Sequence, residues 1–181
     1  MKQQIAIPLC LLMTGLLLGA DSPATAPAGE KRTLLNGQVE YLSPAGWTFS
    51  EKNGTEEMAA FVSEDRAGGL LMMVQPQGMY PDVNVARAIV KQLREQRKKT
   101  PETKVIQEPK IEPSKDFEVR ISEEYEHSGE TYAKLYLYRM RGKRTISLTV
   151  TAINAKDDAT KRATLKVGED LLLSCKWPKK K

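Results

Sequence analysis

The second half of this chain is dominated by stretches in which apolar and polar side chains alternate with a period of two residues. In 117–122 and in 145–152, every second side chain is apolar and those between are polar or charged. This is the period of a β-strand with one face against a core. In 132–140 both series are largely apolar, which predicts a central strand covered on both faces. The fold must therefore be built around a sheet.

Turn residues separate these three strands. Ser128-Gly129 and Gly142-Lys143 lie between them, and such short polar connections join neighbouring antiparallel strands. The sequence therefore predicts a three-stranded meander, preceded by a short strand at 105–106.

The first half of the chain also contains alternating apolar and polar residues, in shorter runs separated by turn residues. Val39 and Tyr41 fall on one side of a first strand, and Trp47 and Phe49 on one side of a second, before Asn53-Gly54, a strong hairpin signal. Apolar runs at 58–62 and 70–74 predict another hairpin. The pattern indicates four short antiparallel strands in succession.

Two segments change to the helical period. The first has Asp82 or Asn84 as a capping residue, an apolar stripe every three to four residues, and an end near Lys99 because Pro101 follows. The second begins after Asp157. Gly168 lies inside this second helix and is expected to weaken it by about 1 kcal/mol relative to alanine. Its predicted apolar face is Ala159, Ala163, Val167, Leu171 and Cys175.

The order of these elements predicts an α+β fold: a mostly antiparallel sheet of seven or eight strands, with two main helices packed on it in layers. No internal repeat is visible. The chain length that remains for this unit, 34–181, is that of a common single domain.

The N-terminal segment is interpreted as an export signal. Met1 and Lys2 precede an uncharged apolar run over 5–18, which closes on the small residues Gly19 and Ala20. The run is shorter than the roughly 20 apolar residues that span a bilayer. We therefore expect a signal peptide at 1–20 that is removed rather than kept as an anchor, a disordered spacer at 21–33 and a periplasmic or secreted protein without a transmembrane segment.

The charge balance limits the class of partner. The chain has 28 Lys and Arg against 23 Asp and Glu, and removal of Lys2 with the signal leaves a formal charge of +4. A mild excess with interspersed signs permits attraction to anionic surfaces but does not indicate a nucleic-acid partner.

Several segments together resemble the PsbP/DcrB-like superfamily of extracytoplasmic proteins. They are the segment Tyr41-Leu42-Ser43-Pro44-Ala45-Gly46-Trp47, the helix from Asn84, the tyrosine-rich meander around Gly129 and Gly142, and the end Ser174-Cys175-Lys176-Trp177. The resemblance implies an α/β/α sandwich around an antiparallel sheet and a non-enzymatic role in assembly or binding. Members similar to DcrB are typically lipid-anchored, whereas no lipidation cysteine is found here.

No catalytic constellation is visible, so we expect no enzyme activity and no cofactor. His127 is the one histidine, and the acidic residues beside it, Glu123, Glu124 and Glu126, favour a solvated turn over a metal site, since alternation sends Glu124 and Glu126 to the opposite strand face. A hydrolase remains the weakest hypothesis because no Gly-x-Ser-x-Gly motif is present.

The sulfur-bearing side chains have structural interpretations. Cys10 lies in the apolar run, so the mature chain would keep Cys175 alone and form no internal disulfide. Cys175 is expected to be a buried apolar residue, with a reactive or intermolecular thiol as the alternative. Met72, Met73 and Met79 are expected to fill the core rather than to bind copper.

The most suggestive cluster is basic and lies on the first predicted helix: Lys91, Arg94, Arg97 and Lys98. Lys91, Arg94 and Lys98 share one helix face at spacings of three and four residues and could meet an anionic partner. The alternative is an ordinary solvated face whose cations complement the helix dipole.

Two functional hypotheses follow. The first is an exported, non-catalytic binding or assembly module of the cell envelope that engages a protein or an anionic envelope component through the sheet edge or the basic helix face. The alternative is a small-molecule or lipid carrier. Its apolar pocket between sheet and helix would be lined by Trp47, Met72, Tyr136 and Tyr138.

Overall fold

The structure is a computed structural model, and it describes residues 29–141 and 143–177. The predicted signal peptide, most of the spacer, Gly142 and the terminal lysines 179–181 lie outside the described residues. The elements in chain order are β1 (Lys31–Leu34), β2 (Val39–Leu42), β3 (Trp47–Phe49), a 3₁₀ turn (Glu51–Asn53), β4 (Met58–Ser63), β5 (Gly68–Val74), α1 (Val83–Lys99), β6 (Thr103–Ile111), β7 (Val119–His127), β8 (Glu130–Arg141), β9 (Arg144–Ile153) and α2 (Asp158–Ser174).

Seven strands form one antiparallel sheet in the order β3-β4-β5-β9-β8-β7-β6. The meander β7-β8-β9 lies on one side of β5, and residues 146–152 of β9 pair with β5 along the whole length of β5. The predicted α+β architecture with a sheet of seven to eight strands is confirmed.

The first two strands differ from the sequence interpretation. The strands β1 and β2 form a separate two-stranded sheet. Strand β2 therefore does not pair with β3, although the sequence predicted four antiparallel strands in succession. Backbone hydrogen bonds between Glu40 and Lys176, at 2.8 and 2.7 Å, join this small sheet to the end of α2. Strand β1 also begins at Lys31, so 31–33 is paired with β2 rather than disordered.

The expected tight turn at Asn53-Gly54 is wrong as well. Asn53 ends the 3₁₀ turn, and Gly54 has an ordinary extended φ of −88°. A Cβ at position 54 would lie 2.7 Å from the ring of Phe49. Glycine at position 54 therefore allows the backbone to lie close to the Phe49 ring. The connection from β3 to β4 is a longer loop than the predicted tight turn.

Each face of the sheet carries its own hydrophobic cluster. The larger cluster lies on the side of α2 and includes Leu135, Leu137, Leu148 and Val150 from the central strands. The smaller one lies on the side of α1 and includes Val119, Ile121 and Tyr136. Because successive side chains of a strand point to opposite faces, these sets define the two sides of an α/β/α sandwich.

Helix α1 follows its sequence signals closely. The Asp82 carboxylate accepts hydrogen bonds from the backbone N–H groups of Asn84 and Val85, which satisfies two of the free donors at the helix start. The predicted apolar stripe is buried against β7 and β8: Ala86, Ile89, Val90 and Leu93.

Helix α2 is rotated relative to its predicted face. Ala159 and Ala163 are exposed, whereas Gly168 and Leu172 are buried beside Leu171. Two ion pairs hold this helix to the strands below it, namely Arg120–Glu169 at 3.1 Å and Lys161–Glu124 at 2.8 Å. Among the described residues, neither helix is long and apolar enough to cross a membrane.

Candidate functional site

A shallow groove of about 370 Å³ runs between α1 and the edge strand β6. Helix α1 packs over β6 and β7, so the flank of the helix that points beyond the sheet edge forms one wall of the groove. Its lining side chains are Arg87, Val90, Lys91, Arg94, Glu95, Lys98 and Ile111. Four cations, one carboxylate and two apolar side chains therefore face the same open space.

The four cations form a row along the helix. Arg87, Lys91, Arg94 and Lys98 are separated by four, three and four residues, so with a rise of about 1.5 Å per residue the row is about 16 Å long. Lys91 has 79% of its side chain exposed and forms a long pair with Glu95, at 3.9 Å. The row thus presents largely solvated positive charge.

Arg94 is the member of the row that is held by the opposite wall. Its Nε lies 3.2 Å from Glu108, and its Nη2 donates to the Pro109 carbonyl at 3.4 Å. Both partners belong to β6, so Arg94 helps to fix the width of the groove.

The structure brings Lys91, Arg94 and Lys98 together as the spacing suggests, but it removes Arg97 from this surface. Arg97 is buried, because position 97 continues the apolar stripe of Val90 and Leu93 toward the sheet. The sequence reasoning missed Arg87, although its place one turn before Lys91 was the signal that could have found it.

Strand β6 is an edge strand with exposed apolar side chains, namely Val105, Ile106 and Ile111. Its pairing with β7 shifts register twice between Val105 and Lys110, and Pro109 lacks a backbone donor. Such irregularities protect a sheet edge against the addition of another strand.

Behind the groove, Arg97 forms a buried ion pair with Glu123 of β7. Arg97 Nη2 donates to Oε1 at 2.6 Å and Arg97 Nε donates to Oε2 at 3.2 Å. The Tyr136 hydroxyl donates to the same Oε1 at 2.6 Å. Burial and the adjacent Glu123 carboxylate raise the pKa of Tyr136 well above its usual value. The pair fixes the last turns of α1 on the sheet.

Aromatic rings extend this buried cluster. The Arg97 guanidinium lies 3.8 Å from the centroid of the Tyr125 ring, which stacks on Tyr132 at 5.1 Å. Lys134 Nζ lies 5.6 Å from the same Tyr125 centroid. Burial, with a further contribution from the Arg97 charge, lowers the pKa of Lys134 to about 8.

The expected carrier pocket is not formed. Trp47 and Met72 belong to the cluster on the side of α2, whereas Tyr136 and Tyr138 pack on the side of α1. The register explains this, because Met72 pairs with Leu148 while Tyr136 pairs with Thr149, the next residue along β9. The four side chains are on opposite faces of the sheet and cannot line one cavity.

The remaining candidates have structural partners. His127 Nδ1 lies 3.1 Å from the Thr103 hydroxyl, and Glu124 pairs with Lys161 on the other face. No cluster of three metal-ligating side chains occurs within 29–141 and 143–177. Cys175 is buried, and burial raises the pKa of its thiol to about 12.

No protein-family model matches the sequence, and a search of curated proteins finds no significant match. Solved structures do match. The Saccharomyces cerevisiae Ran-binding protein Mog1p is 8% identical, with a TM-score of 0.55 over 84% of this chain and 96% of its own. Cyanobacterial PsbP (CyanoP) from Synechocystis is 12% identical, with a TM-score of 0.51 over 89% of this chain and 99% of its own.

A Bacteroides thetaiotaomicron protein is 13% identical, with a TM-score of 0.50 over 84% of this chain. The chain spans about half the length of that protein, since 50% of it is covered. At these identities the likeness concerns the fold. This chain therefore has the PsbP/Mog1-like fold, an α/β/α sandwich around an antiparallel sheet, as its sequence resemblance to the PsbP/DcrB-like superfamily implies.

Proposed function

We propose that this protein is an exported, non-catalytic binding or assembly module of the cell envelope, whose α1–β6 groove holds an acidic region of a protein or an anionic envelope component. The observation that carries this proposal is the row of Arg87, Lys91, Arg94 and Lys98 on one concave surface. Export rests on the predicted signal peptide at 1–20.

The charge of the groove supports an anionic partner. Its lining has four cations and the carboxylate of Glu95, and the Glu108 carboxylate on the opposite wall pairs with Arg94, so positive charge remains in excess. Exposed pairs with such cations contribute about 0.2–1 kcal/mol each and are screened by salt. Binding through three or four of them is therefore expected to be moderate in affinity and strongly dependent on ionic strength.

The shape of the groove and the fold also favour binding over catalysis. A concave surface with apolar Val90 and Ile111 between cations can hold a polymer or peptide that carries both acidic and apolar groups. Mog1p, which has the same fold, is a Ran-binding protein. Its example supports the use of this fold for protein binding.

The proposal is tested by neutralising the row. The variant Arg87→Gln/Lys91→Gln/Lys98→Gln keeps Arg94, which contacts Glu108 and the Pro109 carbonyl. The matched control removes three exposed cations on other elements: Arg66→Gln/Lys156→Gln/Arg162→Gln. Both variants change the net charge equally, so a difference between them reports on position.

Binding of the full chain to polyglutamate and to phosphatidylglycerol vesicles is measured at several salt concentrations. We expect about tenfold weaker binding and a smaller salt slope for the groove variant, and little change for the control. Preference for one probe distinguishes a polypeptide from a lipid surface. Equal losses in both triple variants would show non-specific attraction and would contradict the proposal.

A further inference from the structure

The flank of α1 that carries the cationic row begins with an apolar residue. Val83 lies four residues before Arg87 and seven before Val90, so helical geometry places it on the flank of these two groove-lining side chains. Val83 is 53% exposed. The residue before it is Asp82, whose exposed carboxylate caps the helix. The first turn of this flank therefore carries exposed apolar surface next to a negative charge.

The opposite wall extends this apolar end of the groove. Strand β6 follows α1 and runs back along it. Ile111, the last residue of β6, therefore lies beside the first half of the helix and lines the groove together with Arg87 and Val90. Ile111 is 41% exposed. Val83 and Ile111 thus offer apolar surface from both walls at the same end of the groove.

The other end of the groove is basic. Lys91 and Lys98 extend from the second half of the helix with Arg94 between them, and Glu95 supplies one carboxylate, 3.9 Å from Lys91. At a rise of about 1.5 Å per residue, the flank from Val83 to Lys98 is about 22 Å long. Its character changes from apolar to cationic along this length.

Arg94, in the cationic part, can exchange its partner. It pairs with Glu108 at 3.2 Å, and the two side chains are 51% and 61% exposed. A pair with this exposure contributes little to stability, because water solvates both charges. A carboxylate bound in the groove can therefore replace Glu108 on Arg94 while the fold stays intact.

This distribution of charge and apolar surface selects among anionic ligands. An acidic polysaccharide has no apolar group for Val83 and Ile111. An anionic bilayer presents its charge as a plane with the acyl chains beneath it, so it does not offer apolar and acidic groups in succession along a groove. A polypeptide does, since about seven residues of extended chain, at about 3.3 Å each, span the flank.

We propose that the groove binds a segment of a partner protein that is apolar at one end and acidic along the rest, with its apolar end against Val83 and Ile111. One carboxylate of the segment replaces Glu108 on Arg94. The negative charge of Asp82 keeps the acidic part away from the apolar end. This inference rests on the proposed function, since it concerns the same groove, and it names the class of partner that the groove prefers.

The test uses the full chain and three peptides of equal charge with blocked ends. One peptide has two serines before six glutamates. The other two have two leucines before or after six glutamates, which covers both chain directions. We expect one leucine peptide to bind about tenfold more tightly than the serine peptide in calorimetry, because burial of leucine side chains favours association.

The variant Val83→Ser/Ile111→Ser removes the apolar end and keeps the cationic row. We expect it to bind all three peptides with the affinity that wild type has for the serine peptide, and this remaining affinity reports that the groove is still folded. The matched control Leu42→Ser/Leu173→Ser replaces exposed apolar side chains on β2 and α2. It is expected to keep the preference for leucine.

Exchange at Arg94 is measured with Glu108→Gln. Removal of the competing carboxylate is expected to strengthen binding of the preferred leucine peptide about threefold. The gain should disappear in an Arg94→Gln background, where no pair is left to exchange. An equal gain in both backgrounds would show a general effect of charge and would rule out the exchange.

Failure of this inference differs from failure of the proposed function. If Arg87→Gln/Lys91→Gln/Lys98→Gln binds the serine peptide as well as its matched control does, the row is not the anionic site and the proposed function fails. If the row binds the serine peptide but neither leucine peptide binds more tightly, only the inference is overturned. The same follows if Val83→Ser/Ile111→Ser keeps the preference for leucine, or if phosphatidylglycerol vesicles displace the leucine peptide at equal concentration of charge.

Discussion

Gly168 of α2 lies directly against Val150 of β9. A Cβ at position 168 would overlap Val150 Cγ2 and would lie 3.3 Å from Leu148 Cδ2. Both partners belong to the core on the side of α2, where Val150 is fully buried. Gly168 has a lower intrinsic helix propensity than alanine, but the absence of a side chain at this position allows α2 to pack closely against β9.

Gly168→Ala is expected to destabilise the protein although alanine favours a helix by about 1 kcal/mol. Valine has a stiff χ1 and sits in a closely packed core, so the helix must move away from β9. Overpacking of this kind costs about 1–3 kcal/mol, and we expect a net loss of about 1–2 kcal/mol in urea unfolding.

The double variant Gly168→Ala/Val150→Ala tests the cause. Val150→Ala alone leaves a cavity, which the added methyl group partly fills, so the two changes are expected to compensate each other. A double-mutant cycle without coupling would show that the cost of Gly168→Ala arises elsewhere.

The Arg97–Glu123 pair predicts a large difference between two arginines of the same helix. Arg97→Met leaves the Glu123 carboxylate buried with the Tyr136 hydroxyl as its one remaining side-chain donor among the described residues, and loss of one partner of a buried pair costs about 3–5 kcal/mol. Arg94→Met removes an exposed pair with Glu108 and is expected to cost less than about 1 kcal/mol.

Urea unfolding of both variants and of Arg97→Met/Glu123→Gln measures these effects. The double variant removes the orphaned charge, so we expect it to recover a large part of the loss. Equal stability of Arg94→Met and Arg97→Met would contradict a buried ionic anchor for α1.

The same two arginines show what the sequence could and could not predict. Helical spacing placed Lys91, Arg94 and Lys98 on one face correctly, because neighbours on a helix surface are set by local geometry. The spacing could not tell that Arg97 turns inward, because its partner Glu123 lies on a strand 26 residues away. The contact between Arg97 and Glu123 depends on how α1 packs on the assembled sheet.

The fold was predictable for a similar reason wherever the signal was local. Alternation in 117–122 and 145–152 correctly placed β7 and β9, and the caps Asp82 and Asp157 correctly placed both helices. Separation of β1 and β2 from the main sheet was missed, since pairing between strands is not encoded in either strand alone.

Lys134 gives the stability an unusual pH dependence. Its pKa falls from the ordinary 10.5 to about 8 in the folded state. Between these values the unfolded chain binds more protons, so this residue makes the free energy of unfolding rise with pH. We expect Lys134→Met to be more stable than wild type by about 2–3 kcal/mol at pH 7, and the gap to narrow as pH rises from 8 to 10.5.

The measurement is the difference between wild type and Lys134→Met across that range. Other groups act in the opposite direction, since burial raises the pKa of Tyr41 and of Tyr125 to about 12, which lowers stability once unfolded tyrosines ionise near pH 10. These tyrosine contributions are present in both proteins, so they cancel when the free energy of unfolding of wild type is subtracted from that of Lys134→Met. A constant gap from pH 7 to 10.5 would show that Lys134 is not desolvated.

Cys175 is expected to be chemically silent until the protein unfolds. Its Sγ lies 3.5 Å from Met72 Sδ and 3.5 Å from the Leu171 carbonyl, inside the core on the side of α2. The pKa of the thiol rises from 9.0 to about 12, because burial disfavours the thiolate.

Alkylation by iodoacetamide in a Cys10→Ser background checks this. The higher pKa reduces the thiolate fraction about 1000-fold at pH 8, and burial excludes the reagent, so modification is expected to require opening of the fold. The labelling rate should then rise with urea in parallel with the population of unfolded protein, and no disulfide-linked dimer should form in oxidising buffer. Rapid labelling in native buffer, with the unfolding midpoint unchanged, would instead show that the end of α2 opens on its own and exposes the thiol.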